Sequence, residues 1–167
     1  MNSSYDLFCP GAILKINQYD FEDGGPPRDK YLIGLCSNDN ELIYIYSLTT
    51  SQNPRNVTPN ASGCNVASGL PYWYFTPGDE LDANGFTFNL PTYVFFYNNV
   101  RKHEFADLER MGKSGSQLGA VKLAQLSEQA LKRLLKCALK AERFIARDLL
   151  PYLRTAKELL STGSVKS

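Results

Sequence analysis

Long apolar runs are missing from this sequence of 167 residues. No stretch approaches the roughly 18 apolar residues that a membrane-spanning helix needs, and residues 1–6 lack the charged and apolar regions of a secretory signal peptide. The composition is that of a folded globular chain, with 43% hydrophobic and 21% charged residues. We therefore expect a cytoplasmic protein that does not associate with a membrane.

Motifs for binding a metal, a cofactor or a nucleotide are also missing. The four cysteines include no C-x-x-C pair, and His103 is the only histidine, so we expect no metal and no cofactor. The Gly-Gly-Pro-Pro segment at 24–27 lacks the lysine and the following helix of a phosphate-binding loop. In a reducing compartment the cysteines are expected to be small buried residues rather than disulfide partners.

Charge and aromatic content change near residue 100. Residues 1–100 hold four Lys and Arg against ten Asp and Glu, whereas residues 101–167 hold fourteen against seven. Seventeen of the twenty aromatic residues precede position 100. We expect a β-rich region with a short helix over 1–112 and a helical extension over 113–167, whose last ~7 residues are disordered.

Short apolar runs rich in β-branched and aromatic residues predict strands in the first region, because Gly, Pro, Asn and Asp separate them. The six runs are residues 12–16, 31–36, 42–48, 72–76, 86–89 and 92–97. The run at 31–36 is continuous, which is typical of a strand buried on both faces. The segment at 51–70 is expected to be a long loop. Six short strands favour a small, strongly curved sheet or barrel.

Helical spacing replaces the strand pattern after this region. Asn98 or Asn99 is predicted to cap a short helix that Gly112 ends. Ser127 is predicted to cap a long amphipathic helix, which Pro151 should end or kink. A last short helix is predicted after that proline. We therefore expect a mainly β protein with C-terminal helices, of the α+β class.

Three segments, in this order, resemble the PemK/MazF toxin family of type II toxin–antitoxin pairs. They are Pro-Gly-Ala-Ile-Leu at 10–14, basic residues ahead of an apolar strand at 28–35, and a strand end followed by hydroxyl residues at 46–52. Residues 118–122 and 126–131 are similar to the segment that leads into that family's C-terminal helix. The resemblance covers most of residues 9–145 and implies an SH3-like small barrel with a helical extension packed on it.

The resemblance also implies a metal-independent endoribonuclease that cleaves single-stranded RNA. In that reaction the ribose 2′-hydroxyl attacks the adjacent phosphate, a cation neutralises the charge that develops, and a hydroxyl donates a hydrogen bond or moves a proton. Arg28 or Lys30 would supply the cation, and Thr49 or Thr50 the hydroxyl. Lys30 occupies the position where the family has Arg, with Arg28 two residues earlier.

Substrate-binding residues are expected beside these groups. The candidates are Ser51, Gln52, Tyr72 and Trp73, of which the two aromatic rings either stack on unpaired bases or pack in the core. The resemblance further implies a homodimer and a cognate antitoxin protein as partner. Two other hypotheses stay open. One is a non-catalytic SH3-like barrel that binds a protein partner, which the acidic charge of residues 1–100 favours; the other is a topoisomerase poison on the same fold.

Overall fold

The computed structural model describes residues 7–19, 28–51, 59, 61–67, 69–97, 99–110 and 119–162. These residues form a mixed α+β protein with eight strands in two antiparallel sheets and three α-helices. The described strands leave both sheets open, so they do not close into a barrel. None of the described helices combines the length and the apolar character that crossing a membrane requires.

The eight strands fall into a sheet of five and a sheet of three. They are β1 Ala12–Tyr19, β2 Arg28–Asn38, β3 Ile43–Leu48, β4 Gly63–Ala67, β5 Leu70–Phe75, β6 Thr92–Phe95, β7 Val100–Glu104 and β8 Ala120–Gln125. The larger sheet has the order β7-β3-β2-β1-β8, and the smaller has the order β4-β5-β6. A backbone bridge between Thr50 and Tyr93, with hydrogen bonds of 2.9 and 2.8 Å, joins the end of β3 to β6.

The helices are α1 Phe105–Arg110, α2 Glu128–Lys140 and α3 Leu150–Thr162, with a 3-10 turn at Glu142–Phe144 between the last two. The predicted cap of α2 is confirmed, because the Ser127 hydroxyl accepts a hydrogen bond of 3.1 Å from the backbone N–H of Ala130. Helix α2 contacts β4 and β5, while α3 contacts α2 and β2.

Apolar side chains fill both faces of the larger sheet. Residues such as Ile33 and Leu35 on one face pack with Trp73 of the smaller sheet and with Leu134 of α2. On the other face, a second cluster includes Leu32, Tyr44, Tyr46, Phe8 and Phe105. Successive residues of a strand point to opposite faces, so the apolar run from Leu32 to Cys36 supplies both clusters.

Two predicted elements differ from the structure in type. The predicted helix after Asn99 begins only at Phe105, because Val100–Glu104 is strand β7 and pairs with β3 from Val100–Ser47 to Glu104–Ile43. Pairing with a formed sheet outweighs a weak helical preference in so short a segment. Pro151 lies in the first turn of α3 rather than ending α2, which stops at Lys140. Proline is well tolerated in that turn, where the missing N–H has no partner to lose.

Other differences concern strands. Strand β4 falls inside the expected loop at 51–70, and β8 lies in the segment expected to be helical, where it pairs with β1. Residues 86–89 form no strand. The last short helix is present and runs to Thr162, so of the last residues expected to be disordered, Ser161 and Thr162 are helical. The boundary expected at 112–113 and residues 163–167 lie outside the described part of the chain.

A disulfide joins Cys64 of β4 to Cys137 of α2, across 73 positions of sequence and a Cα–Cα distance of 5.6 Å. The expectation that the cysteines are unpaired is therefore wrong for these two, while Cys9 and Cys36 form no disulfide. The bond attaches the outer strand of the smaller sheet to the core helix. Apart from this bond, few side chains of strand β4 are buried, since Cys64 and Val66 are exposed.

Candidate functional site

An open cleft of about 400 Å³ lies where the start of β2, the end of β3 and the segment before β6 meet. Lys30, Thr49, Thr50 and Ser51, four residues that the sequence analysis singled out, are among its lining residues. Residues 86–90 also line it. Strands β2 and β3 are antiparallel neighbours, so the first residues of one lie beside the residues that follow the other.

The two threonines have different surroundings in the cleft. Thr49 is 5% exposed, and its hydroxyl donates a hydrogen bond of 3.0 Å to the carbonyl oxygen of Tyr31. Thr50 is half-buried, and its backbone exchanges both hydrogen bonds with Tyr93. Ser51 is exposed. The Thr49 hydroxyl proton is therefore held by the protein, whereas the exposed Ser51 is accessible to a ligand.

Charges of both signs line the cleft. Lys30 is half-buried, and Asp29 is exposed and is the only carboxylate among the described lining residues. The Asp29 carboxylate lies 3.8 Å from the ammonium of Lys15. Arg28 begins β2 opposite Tyr19, but its side chain lies outside the described atoms. Asp29 and Lys15 were missed by the sequence analysis, and only the strand register could have revealed them.

Tyr31 is the third residue that sequence reasoning missed. It belongs to the run expected to be buried on both faces, yet it is 39% exposed and lines the cleft. Its ring meets the ring of Phe88 edge to face, with centroids 5.8 Å apart and an interplanar angle of 88°. The structure thus places an accessible aromatic surface next to the charged groups at the start of β2.

The other candidate substrate-binding residues lie elsewhere. Tyr72 and Trp73 are consecutive in β5, 3% and 6% exposed, and belong to two different clusters. Neither of them lines the cleft. Burial, followed by the neighbouring phenols of Tyr93 and Tyr74, raises the pKa of Tyr72, so this group stays neutral at ordinary pH. Gln52 lies outside the described residues.

Two further cavities have other linings. One, of about 360 Å³, is lined by residues of β7, among them Arg101, Lys102 and His103, and by Ala146, Asp148 and Leu149. There His103 Nδ1 lies 2.8 Å from the buried hydroxyl of Tyr46, so the histidine has a structural partner. Across the described residues, no group of three or more His, Cys, Asp or Glu is arranged to hold a metal ion.

The second cavity is an apolar groove of about 900 Å³ between α3, the start of α2 and the end of β2. Leu35, Leu131 and Leu159 contribute to its apolar lining, and Cys9 and Cys36, which form no disulfide, also line it. Burial raises the pKa of the Cys36 thiol to about 12. This groove suits an apolar ligand better than a phosphate.

Comparisons with family models, with curated proteins and with solved structures found no significant match. The assignment of a function therefore rests on the residues of the cleft and on the resemblance of the sequence segments that form it.

Proposed function

We propose that this chain is the toxin of a type II toxin–antitoxin pair, a PemK/MazF-like endoribonuclease that cleaves single-stranded RNA without a metal ion. The proposal includes the finer fold class, an open form of the SH3-like barrel in which the two unclosed sheets and α2 form the body, and it includes a cytoplasmic location. In the cytoplasm, thiol reductants would act on the Cys64–Cys137 disulfide. A chain in that compartment therefore has to stay folded in the presence of these reductants.

One observation carries the proposal. The cation-bearing start of β2 and the hydroxyl residues after β3 are 19 or more positions apart in sequence, and both line one open cleft. A phosphodiester needs both kinds of group nearby, because charge develops on its non-bridging oxygens during transfer. The lining at 86–90 is largely aromatic and polar without charge, which suits a nucleobase.

The cleft residues suggest roles in the reaction. The 2′-oxygen bonds to phosphorus while the bond from phosphorus to the 5′-oxygen breaks, giving a 2′,3′-cyclic phosphate and a 5′-hydroxyl. Asp29 takes the proton of the attacking hydroxyl, and the resulting carboxylic acid returns it to the leaving oxygen. Lys30, or Arg28, neutralises the phosphoryl oxygens, and the hydroxyl of Thr50 or Ser51 donates a hydrogen bond to them.

The test uses purified protein and an end-labelled single-stranded RNA in excess EDTA. Cleavage is expected, with cyclic phosphate ends, and a single 2′-deoxy substitution should block it at that position. Lys30→Ala and Asp29→Asn should each lower the rate by about 100-fold, whereas Lys136→Ala on the exposed side of α2 should not change it.

A protein without metal-independent cleavage contradicts the proposal. So does cleavage that survives replacement of Arg28, Lys30, Thr49 and Thr50 together by Ala, provided that circular dichroism shows the variant to be folded.

The proposal also includes a homodimer and a cognate antitoxin that covers the cleft. Light scattering of the purified chain tests the first part, with about twice the monomer mass of 18.7 kDa expected. Protection of the cleavage assay by the product of an adjacent small reading frame tests the second part.

The apolar groove favours a second candidate, a non-catalytic domain that binds an apolar segment of a protein partner. Leu159→Asp on the exposed side of α3 separates the two functions. Growth inhibition by the expressed chain that is lost in Leu159→Asp but kept in Lys30→Ala would favour the second candidate, and growth inhibition that depends on Lys30 but not on Leu159 favours the nuclease.

A further inference from the structure

An exposed aromatic residue on a protein surface is common and needs no explanation by itself. Tyr31 differs because its position is fixed from two sides. Its carbonyl oxygen accepts hydrogen bonds from both the N–H and the hydroxyl of Thr49, at 3.2 and 3.0 Å. Its ring rests against the ring of Phe88, which also lines the cleft. A ring held in this way loses little conformational freedom when a flat ligand stacks on it.

A cation lies directly beside this ring. Lys15 of β1 and Tyr31 of β2 are paired residues in the sheet, so their side chains leave the same face as neighbours. The Lys15 ammonium is 3.8 Å from Asp29, and both side chains of this ion pair are more than one-third exposed. Exposed ion pairs contribute little to stability, so a phosphate can compete for Lys15 at small cost.

The next residue in this row of cross-strand neighbours, after Tyr31 and Lys15, is apolar. Lys15 pairs on its other side with Val121 of β8, which is 43% exposed. The row Val121, Lys15, Tyr31 therefore extends from the edge of the larger sheet into the cleft. This row offers a path for an extended single strand of nucleic acid, with one stacking surface and one cation.

We infer that Tyr31 and Lys15 form a subsite for one unpaired nucleotide of a single-stranded nucleic acid, in which the base stacks on the Tyr31 ring and the adjacent phosphate binds the Lys15 ammonium. The inference rests on the proposed function for the identity of the ligand and adds the residues that select single strands. A duplex is excluded because its bases are already stacked on each other.

The test measures binding apart from cleavage. Fluorescence anisotropy follows an eight-nucleotide 2′-O-methyl RNA, which has no free 2′-hydroxyl and cannot be cut. Tyr31→Phe should keep the affinity, because it keeps the ring. Tyr31→Leu should weaken binding about tenfold or more. Tyr97→Leu is the matched control, since Tyr97 is 55% exposed and contacts Phe144 away from the cleft; it should change nothing.

Lys15→Met should weaken binding. It should also make the negative slope of log affinity against log salt concentration less steep by about 0.7, the value for one phosphate of a single strand. The same oligonucleotide annealed to its complement should bind at least tenfold more weakly than the single strand. Single-stranded DNA of the same sequence should bind and remain uncut.

The outcomes separate the inference from the nuclease proposal. Tyr31-dependent binding in a protein that cuts no RNA overturns the nuclease and keeps the subsite. Cleavage of RNA together with equal affinity for Tyr31→Leu and the unsubstituted chain overturns the subsite alone. An unsubstituted chain that does not bind the 2′-O-methyl strand, or that binds the duplex equally well, also overturns the subsite.

Discussion

Thr49 donates two hydrogen bonds to a single acceptor, the carbonyl oxygen of Tyr31. The N–H bond continues the antiparallel pairing of β2 and β3 by one residue, and the hydroxyl bond adds to it at the base of the cleft. A side chain that the sequence pattern assigned to chemistry thus also fixes the backbone next to the exposed ring.

Replacement of Thr49 tests this arrangement. Thr49→Val keeps the shape of the side chain but removes the hydroxyl, so we expect the free energy of unfolding to fall by about 1 kcal/mol. Thr49→Ser keeps the hydroxyl donor, so its free energy of unfolding should fall by less. Urea unfolding followed by fluorescence gives both values, and equal stability of the valine variant and the unsubstituted chain would contradict the contact.

Gly34 is the position where β2 tolerates no side chain. A Cβ there would lie 2.7 Å from the carbonyl oxygen of Cys9 and against the ring of the fully buried Tyr44. We expect Gly34→Ala to lower stability by about 3 kcal/mol. Gly85→Ala is the control, because Gly85 has open space around it and only its φ of 78° opposes alanine, at about 1 kcal/mol. Thermal melts that rank the two variants equally would refute the steric argument.

The disulfide should contribute strongly to stability, because a cross-link over 73 positions restricts the unfolded chain. Loop-closure entropy gives about 4 kcal/mol for a loop of this length. The double variant Cys64→Ala with Cys137→Ala should therefore unfold at much lower denaturant. Dithiothreitol should destabilise the unsubstituted chain but leave the double variant unchanged, which separates the bond from other effects of the substitutions.

The Cys36 thiol should be inert in the folded protein. Its pKa is raised by burial from 9.0 to about 12, and only the thiolate reacts, so at pH 9 roughly one thousandth is reactive. Iodoacetamide at pH 9 should therefore leave Cys36 unmodified until denaturant is added. Since the folded pKa lies above the unfolded one, this thiol also makes stability fall as pH rises above about 9. Mass spectrometry that finds rapid native alkylation of Cys36 would contradict its burial.

Local chemistry decided which elements could be predicted from the sequence. The cap at Ser127 depends on one hydroxyl and an N–H three residues away, and it was predicted correctly. The main strands β1, β2 and β3 were also predicted, because their apolar runs are rich in β-branched and aromatic residues and are bounded by turn-forming residues. Lys30 and Thr49, which line the cleft, were named from the family resemblance of residues 28–35 and 46–52.

Contacts between distant residues decided the rest. Strand β7 is polar, with Arg101, Lys102 and His103 in its five residues, and only its pairing with β3 makes it a strand. Cys64 and Cys137 carry no mark of their bond in sequence, since their proximity comes from the packing of β4 on α2. The exposure of Tyr31 likewise depends on which elements pack beside the start of β2, and the spacing of apolar residues in the sequence does not report this.

The pairing of β1 with β8 has a consequence for biosynthesis. About one hundred residues separate the two strands, and β1 leaves the ribosome long before its partner is made. During that interval β1 presents an open hydrogen-bonding edge next to the apolar side chains of Ile13, Leu14 and Ile16. Nascent chains halted ahead of Ala120 would keep this edge unprotected, so the vulnerable stage for aggregation comes before the last strand is translated.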